Sequence, residues 1–361
     1  MKIYLVGGAV RDKILGIKPK ERDWVVVNGS SQELIKLGYK QVGKNFPVFL
    51  HPVTSEEYAL ARIEKKIKEG HKGFEFNTSN EVTLEEDLSR RDLTINAIAE
   101  DEDGNVIDPY NGIKDIEDRT LRHVSKAFTE DPLRVFRVAR FYARFREYDF
   151  NVHESTYEVM QEISKSGEIE TLSKERLWGE LSRALNTKNP WAFFDVLIKS
   201  KVAEKYFPEI LESDLIKEKL IYFSNLNIDK DMYLSICGLS LNIVEFFGFP
   251  KKILDLYFIF NEFGAKFISL EINKDLILLF LNSLDAFRRP ARLKIFLEQI
   301  NLFTKYHKMN EDKKIDIFYD ILNQIENKID YGDMANLSVN QIKDRISRIN
   351  LNIIDSILNK K

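Results

Sequence analysis

Cysteine, histidine, long apolar runs and surplus positive charge are all scarce in this chain of 361 residues. Its one cysteine, Cys237, excludes an intrachain disulfide and a zinc site built on cysteine pairs. The longest apolar runs, such as residues 277–281, fall far short of the ~20 residues that span a membrane. The N-terminus lacks the long apolar core and small-residue cleavage site of a signal peptide. We therefore expect a cytoplasmic protein.

Positive charge is not in excess either. The 54 lysines and arginines face 57 aspartates and glutamates, so the formal net charge is −3 at pH 7. A strongly basic chain would by itself have indicated nucleic-acid binding. Local groups of arginine can still bind phosphate on an acidic protein. A nucleic-acid function must therefore be argued from particular residues.

The pattern of apolar residues divides the chain into regions. The length favours two or three domains. The first 125 residues mix short apolar runs, typical of strands, with helical stretches that begin near residues 9, 31 and 84. Four strands are predicted, at residues 3–6, 23–27, 46–50 and 58–63.

The rest of the chain is predicted to consist of loops and helices. The polar segment 64–80 is rich in lysine and contains Gly70 and Gly73, which predicts a mobile loop. Residues 131–145 have helical periodicity, and Ser173 is predicted to cap a later helix. Beyond Pro208 the chain is rich in leucine, isoleucine, phenylalanine and lysine, which predicts a helical tail.

Two short motifs near the N-terminus have the composition of a phosphate and metal site. Gly7 and Gly8 follow the first strand, where glycines let the backbone approach a phosphate, and Arg11 adds a charged donor. Glu21 and Asp23 are two apart at the head of the second strand, so they point to the same side. Paired carboxylates suit Mg²⁺. Alone, the glycines would indicate a plain turn, and the acids a solvated strand end.

Two further motifs combine arginine with aspartate. The run 85–97 contains Arg91 and Asp92, which could contact a triphosphate and a ribose hydroxyl or simply belong to a mixed-charge helix surface. The run 130–134 reads Glu-Asp-Pro-Leu-Arg, with proline suited to the first turn of a helix. Asp131 and Arg134, three apart, can present an acceptor and donors to a base edge.

Arginines continue along the same predicted helix. Arg134, Arg137, Arg140 and Arg144 fall within an arc of about 120°. Such a face can meet phosphates, and the alternative interpretation is an internal network of salt bridges.

Taken together, these groups resemble the bacterial class II tRNA nucleotidyltransferases. The order is Gly-Gly-x-x-Arg-Asp, a pair of acids, Arg-Arg-Asp-x-x-Ile-Asn-Ala, Asp-Pro-Tyr-Asn-Gly, and Glu-Asp-Pro-Leu-Arg. The local sequence is especially similar to that of the CCA-adding members at residues 2–12, 22–27 and 41–52. The resemblance is dense over residues 1–145, weaker at 173–178 and 206–210, and reappears at 285–290.

The resemblance implies an α+β fold in three parts. These are a polymerase-β-like nucleotidyltransferase head with a small mixed sheet (1–128), a helical neck and body that carries the base template (129–210), and a helical body and tail that binds tRNA (211–361). It implies sequential addition of C, C and A to the 3′ end of tRNA from CTP and ATP, without a nucleic-acid template and with release of pyrophosphate. No membrane partner is expected. The sequence does not give the oligomeric state, and a monomer is favoured.

The resemblance also assigns residues to the nucleotide. It implies that Gly8 and Arg11 bind its phosphates, and that Arg91 and Asp92 contact the triphosphate and the ribose. Asp131 and Arg134 would read the incoming base.

Other residues would support these roles. Arg137 and Arg140 match further nucleotide-binding arginines. Residues 175–176 match a motif that braces the template helix.

Glu21 and Asp23 would hold Mg²⁺ and carry the catalysis. Here the chain departs from the family's commoner Asp-x-Asp, because the first acid is Glu21. The longer side chain of glutamate can still ligate a metal. The segment 64–80 lies where the family has a flexible element linked to the switch from C to A addition.

A second departure concerns histidine. Longer relatives carry a C-terminal metal-dependent phosphohydrolase domain with a His-Asp motif. This chain has five histidines and no His-Asp pair, so we expect neither that domain nor its activity. Three alternatives stay open: a CC-adding enzyme, a poly(A) polymerase and an inactive tRNA-binding protein.

Overall fold

The apolar runs near the N-terminus build the centre of a seven-stranded mixed sheet. A computed structural model describes residues 1–43, 48–66, 74–77, 82–226, 228–327 and 337–360. The strand order is β3-β4-β5-β2-β1-β8-β9, in which only the β2–β5 pair is parallel. The strands are β1 (Lys2–Val6), β2 (Asp23–Val27), β3 (Lys40–Val42), β4 (Val48–Leu50), β5 (Glu57–Leu60), β8 (Ala99–Glu100) and β9 (Val106–Ile107).

The register of the two central strands positions the two N-terminal motifs. Val6, the last residue of β1, lies opposite Asp23, the first residue of β2. The glycine turn that follows β1 therefore lies beside the acids that precede and begin β2. Val25 and Val27 pack on one face of the sheet and Val26 on the other, as the period of two requires.

The predicted loop at residues 64–80 is wrong where the structure describes it. Strands β6 (Ile63–Lys66) and β7 (Phe74–Asn77) pair as an antiparallel ladder, with Ile63 opposite Asn77. Residues 67–73 and 78–81 of that segment lie outside the described residues. The strand predicted at 58–63 is split after Leu60, and the short β3 was not predicted.

The remaining elements of the N-terminal unit are mostly helical. A two-stranded parallel pair joins β10 (Thr120–Leu121) to β11 (Asn151–Val152). The predicted helix starts near residues 9, 31 and 84 are confirmed. The helices are α1 (Gly8–Ile14), α2 (Ser31–Lys36), α3 (Leu84–Ser89), α4 (Gly112–Glu117), α5 (Leu133–Phe145), α6 (Glu154–Ser166), α7 (Lys174–Ala184), α8 (Trp191–Lys199) and α9 (Val202–Tyr206).

Helix α5 has an apolar face and an arginine face. Pro132 is the residue directly before the helix, one position short of the first turn in which the sequence predicts it. Val135, Phe136, Val138 and Ala139 are fully buried, because this face packs against α7 and α8. The arginines lie on the remaining surface, so one helix contributes to the core and lines a polar pocket.

Residues 1–213 and 242–248 form one compact unit, and residues 214–241 and 249–361 form the other. The described part of the second unit is helical, and phenylalanines such as Phe267, Phe280 and Phe318 fill its core. The remaining helices of the chain are α10 (Asp214–Ser224), α11 (Lys230–Ile236), α12 (Leu241–Phe247), α13 (Lys251–Ile268), α14 (Lys274–Ser283), α15 (Pro290–Tyr306), α16 (Asp312–Glu326) and α17 (Val339–Leu358).

The architecture confirms the predicted α+β class, with a small mixed sheet followed by helices. Cys237 is fully buried, and burial raises the pKa of its thiol. None of the helices in the described ranges combines the length and apolar character that a membrane crossing requires.

Gly112, at the start of α4, provides a test of how closely α4 packs against the main chain at Thr94. A Cβ at this position would lie 2.2 Å from the main-chain oxygen of Thr94. We expect Gly112→Ala to lower the free energy of unfolding by about 1–3 kcal/mol, measured by urea denaturation. The matched control is Gly179→Ala within α7, where the nearest atom to a Cβ is 3.8 Å away. That variant should gain about 0.5–1 kcal/mol. Equal stability of the two variants would contradict the packing at Gly112.

Candidate active site

An arginine-lined pocket of about 540 Å³ lies in the N-terminal unit. Its lining brings together the four sequence motifs. Ten arginines and four carboxylates take part, so the pocket suits a polyanion. The charged lining residues are Arg11, Arg62, Arg90, Arg91, Arg134, Arg137, Arg140, Arg144, Arg176, Arg183, Glu21, Asp23, Asp92 and Asp131.

The glycine turn forms one wall of the pocket. Gly7 has a φ of 70°, and a Cβ there would lie 2.7 Å from Arg91 Nη1. Gly7 is therefore required both by the left-handed backbone and by the close approach of Arg91. Arg91 Nε is buried and has no hydrogen-bond partner within the described residues.

Asp12 holds two of the arginines. Arg11 is only 2% exposed, and its Nε and Nη2 donate to Asp12 Oδ1 over 2.8 and 2.7 Å. Arg144 of α5 donates to the other oxygen, Oδ2, over 2.8 Å. The Arg11 guanidinium also lies over the Phe145 ring, 4.9 Å from its centroid. Asp12 thus ties helix α1 to the far end of α5.

Asp92 holds a further arginine of α5. Its Oδ2 accepts from Arg137 Nε at 2.7 Å, and its Oδ1 accepts from Asn96 Nδ2 at 2.8 Å and from the Leu93 amide at 2.9 Å. Burial opposes ionisation of this carboxyl. The charge of Arg137 and these hydrogen bonds outweigh the burial and hold the pKa of Asp92 well below its ordinary value.

Asp131 and Arg134 lie at the start of α5. Asp131 Oδ1 accepts from the Leu133 amide, and Oδ2 accepts from Arg176 Nη2 of α7 at 2.8 Å. Arg134 Nη1 donates to the Ala127 carbonyl at 2.6 Å, and its Nη2 donates to the Arg90 carbonyl. These two carbonyls hold the Arg134 guanidinium in the lining of the pocket.

Two more buried acids accept hydrogen bonds from arginines of the pocket. Glu180 of α7 accepts from Arg140 Nε at 2.5 Å and from Arg183 Nη2 at 2.8 Å. Asp87 of α3 accepts from Arg90 Nη2 at 2.8 Å and from Arg91 Nη2 at 3.5 Å.

Burial is deep at both acids. Glu180 is 1% exposed and Asp87 is 0% exposed. The arginine positions are therefore set by carboxylates in the protein interior.

Glu21 and Asp23 lie together in the pocket beside the glycine turn. Partial burial raises the pKa of the Asp23 carboxyl, Arg91 acts against this, and the charge of Glu21 raises the pKa further. Across the described ranges, no hydrogen bond or ion pair engages either side chain. The two carboxylates are therefore available to a cation.

All ten residues predicted for the site line this one pocket. This is a finding about location, and their individual roles stay predictions. Arg176 of the predicted bracing pair also lines the pocket, whereas Glu175 does not.

Sequence reasoning missed other lining residues. Arg62, Arg183 and Asn96 were not singled out. Asn96 lies within a motif already quoted, so its position there was the available signal. Arg62 and Arg183 stand in no such motif.

Asp12 allows a test of the buried ion pairs. We expect Asp12→Ala to lower the free energy of unfolding by about 3–5 kcal/mol, because it leaves the charge of Arg11 buried without its carboxylate. The control is Asp118→Ala, which removes an exposed i,i+4 pair with Lys114. That variant should keep the urea midpoint of the unaltered protein. If Asp12→Ala also kept the urea midpoint of the unaltered protein, the pairing of Asp12 with arginine would not hold the pocket together.

Two family models match the chain. Residues 3–122 match the poly A polymerase head domain. Residues 149–213 match a domain described as the "probable RNA and SrmB-binding site of polymerase A". The first contains the sheet and the glycine turn, and the second contains α7.

Solved structures of CCA-adding enzymes share the fold. A complex with CTP superposes with a TM-score of 0.67 at 22% identity, covering 99% of this chain and 90% of the other. A Thermotoga maritima enzyme in complex with tRNA gives a TM-score of 0.59 at 20% identity, covering 96% and 91%.

A curated relative is much closer in sequence. The CCA-adding enzyme of Coxiella burnetii (strain RSA 331 / Henzerling II) is 44% identical over 318 residues, which are 84% of this chain and 82% of the relative. Identity at this level over most of both chains shows common family membership. The chain belongs to the CCA-adding enzymes, which are tRNA nucleotidyltransferases.

Proposed function

We propose that this chain adds C, C and A in sequence to the 3′ end of tRNA, with CTP and ATP as donors, in the arginine-lined pocket. The observation that carries the proposal is the meeting of ten arginines with the unengaged pair Glu21 and Asp23. A nucleoside triphosphate needs cations around its phosphates and a metal between them. The family membership supports this choice of substrates.

The triphosphate binds against the glycine turn. Gly8 lets the backbone approach it, and the partly exposed guanidinium of Arg91 meets a phosphate oxygen. Arg11 contributes positive charge from behind the turn, since its donors already serve Asp12 and Asn96.

Glu21 and Asp23 fit a divalent cation, and we assign Mg²⁺. Hard oxygen ligands suit Mg²⁺, which uses one or two carboxylates together with substrate phosphates. The described residues contain no cluster of three or more side chains of metal-binding type. The remaining ligands therefore come from the nucleotide and water. When bound, the cation would polarise the attacking hydroxyl and offset charge on the leaving pyrophosphate.

The chemistry is in-line transfer of a nucleotidyl group. The 3′-hydroxyl oxygen of tRNA forms a bond to the α-phosphorus, and the bond from that phosphorus to the pyrophosphate oxygen breaks. The hydroxyl proton is released to water. Arg11 and Arg91 balance the charge of the triphosphate during this exchange. The pocket arginines are already oriented by buried carboxylates, so little reorganisation is needed.

The base and the ribose lie toward α5. Asp131 supplies an acceptor and the Arg134 guanidinium supplies donors, so together they read a base edge by hydrogen bonds. Asp92 with Arg137 lies where the ribose is expected, and Arg140 extends the basic face. No nucleic-acid template is required, because the protein supplies the pairing groups.

The parts of the chain take different roles in this proposal. Residues 1–128 form the catalytic head, 129–210 the neck and body with the base template, and 211–361 the body and tail that binds tRNA. We place the protein in the cytoplasm, in agreement with its single cysteine.

One assay tests the proposed activity. Transfer RNA lacking its last three nucleotides is incubated with CTP alone, ATP alone and both, and the products are sized and sequenced. We expect addition of two C residues with CTP alone and of C, C and A with both. Growth that stops at two C residues with both nucleotides indicates a CC-adding enzyme. A long A tract indicates a poly(A) polymerase, and no growth indicates a binding protein.

The metal assignment gives a separate prediction. Asp23→Ala and the isosteric Asp23→Asn should abolish incorporation while the Kd for tRNA stays unchanged. Glu21→Asp should remain active, because it keeps both carboxylates. EDTA should stop the unaltered enzyme, and excess Mg²⁺ should restore it. Near-normal incorporation by Asp23→Ala would remove the catalytic assignment.

Base reading gives another prediction. Asp131→Ala or Arg134→Ala should admit UTP or GTP, or lose CTP and ATP together, since one unpaired buried group costs about 1–3 kcal/mol. Selectivity is measured as the ratio of kcat/KM values for the four nucleotides. The control Arg146→Ala removes an exposed arginine outside the pocket, just after α5, and should keep the ratio. Unchanged selectivity in both test variants would show that the pair is structural.

A further inference from the structure

Asn96 lies where two separate groups of ion pairs meet. The first group joins Arg11 to Asp12 and through it to Arg144. The second joins Asp92 to Arg137. Arg137 and Arg144 both lie on α5, about two turns apart on the same face. Each group therefore ends on the same helix.

The Asn96 side chain connects the two groups. Its Oδ1 accepts from Arg11 Nη1 at 2.5 Å, and its Nδ2 donates to Asp92 Oδ1 at 2.8 Å. These two contacts close a ring that leaves α5 at Arg144 and returns to it at Arg137. The side chain is buried, with 6% of the residue exposed.

The neighbours of Asn96 require a side chain that both accepts and donates hydrogen bonds, as an amide does. A guanidinium can only donate hydrogen bonds, and an ionised carboxylate can only accept them. The connecting group must accept on the side of Arg11 and donate on the side of Asp92. An aspartate would place two carboxylates against each other, and an alanine would leave both buried partners unsatisfied.

The backbone around Asn96 is held firmly in place. Thr94 Oγ1 donates to Asp115 Oδ2 at 2.6 Å, and the main-chain N–H of Asn96 donates to the Leu93 carbonyl at 2.9 Å. The Asn96 carbonyl accepts from Arg91 Nη1 at 3.4 Å. Asn96 therefore contacts three charged residues of the pocket from a fixed turn.

We propose that Asn96 is a positioning residue that closes this ring and fixes the arginine face of α5 relative to the glycine turn. The proposal rests on the proposed function, because it assigns the phosphates to the turn and the base to α5. Opening the ring leaves the ion pairs of each half intact but removes the link between them. The nucleotide then meets the two halves of its site in a less defined arrangement.

The first test compares matched variants. In Asn96→Asp and Asn96→Ala we expect kcat/KM for CTP to fall by about ten- to a hundred-fold, with the Kd for tRNA unchanged. Thermal unfolding confirms that each variant is folded at the assay temperature. The control is Asn105→Asp, an exposed asparagine outside the pocket that also donates to an aspartate, Asp101, over 2.9 Å. It should behave as the unaltered enzyme.

A double-mutant cycle tests the ring itself. No described hydrogen bond joins Asn96 to Arg144 directly. The ring connects them on one side through Arg11 and Asp12, and on the other through Asp92, Arg137 and α5. We expect Asn96→Ala combined with Arg144→Ala to reduce kcat/KM for CTP little more than the worse single variant, because one break already opens the ring. Multiplicative losses would show that Asn96 acts only on its immediate neighbours, and would overturn the proposal.

The unaltered enzyme separates the two possible failures. If it does not extend tRNA, the proposed function is wrong, and the variants are uninformative about activity. In that case the ring is still tested by calorimetry. The Kd for CTP is measured for the unaltered protein, the two single variants and the double variant. If the unaltered enzyme is active and the folded Asn96 variants match it in kcat/KM, the inference is wrong while the function stands.

Discussion

The pocket depends on one constraint: a buried carboxylate must be paired, and here each such carboxylate is paired with arginine. Asp12, Asp87, Asp92 and Glu180 are at most 5% exposed, and each accepts from one or two pocket arginines. Leaving any of these charges unpaired in the interior would cost several kcal/mol. The acids therefore fix the guanidinium positions before a ligand arrives. Repulsion among so many arginines would otherwise open the pocket, so the same ion pairs maintain the fold and prepare the site.

Helix α5 shows how local sequence and long-range pairing combine. Its period of 3.6 residues places the apolar side chains on the face toward α7 and α8, and the arginines on the opposite arc. That arc was predictable from spacing alone, and all four of its arginines line the pocket. Both interpretations of the arc turn out to apply: the arginines form an internal network of salt bridges, and the same network presents a basic face. The two interpretations are compatible because a guanidinium has five donors and each ion pair uses only some of them.

The parts of the structure that sequence predicted are those determined by neighbours along the chain. The glycine turn, the start of β2 and the helix starts all follow from local pattern. The β6–β7 hairpin was missed because lysine-rich polar composition suggested a loop, whereas pairing between strands decided the outcome. The contact of Asn96 with Arg11 joins residues 85 positions apart, and no spacing rule predicts it. Sequence therefore identified the candidate residues, while tertiary contacts show which donors and acceptors are already engaged.

The net charge of the chain does not reveal the basic pocket, because ion pairs with acids compensate its arginines. The chain carries a formal charge of −3, yet ten arginines against four carboxylates line one pocket. Screening by salt limits exposed charges to a range of about 8 Å, so a ligand in the pocket senses the lining far more than charges farther away. Within that range the low dielectric of the walls strengthens each contact. A polyanionic substrate thus requires only a local surplus of positive charge, held in position by buried acids. Each such acid makes the net charge of the chain more negative, and it also holds an arginine of the site in position.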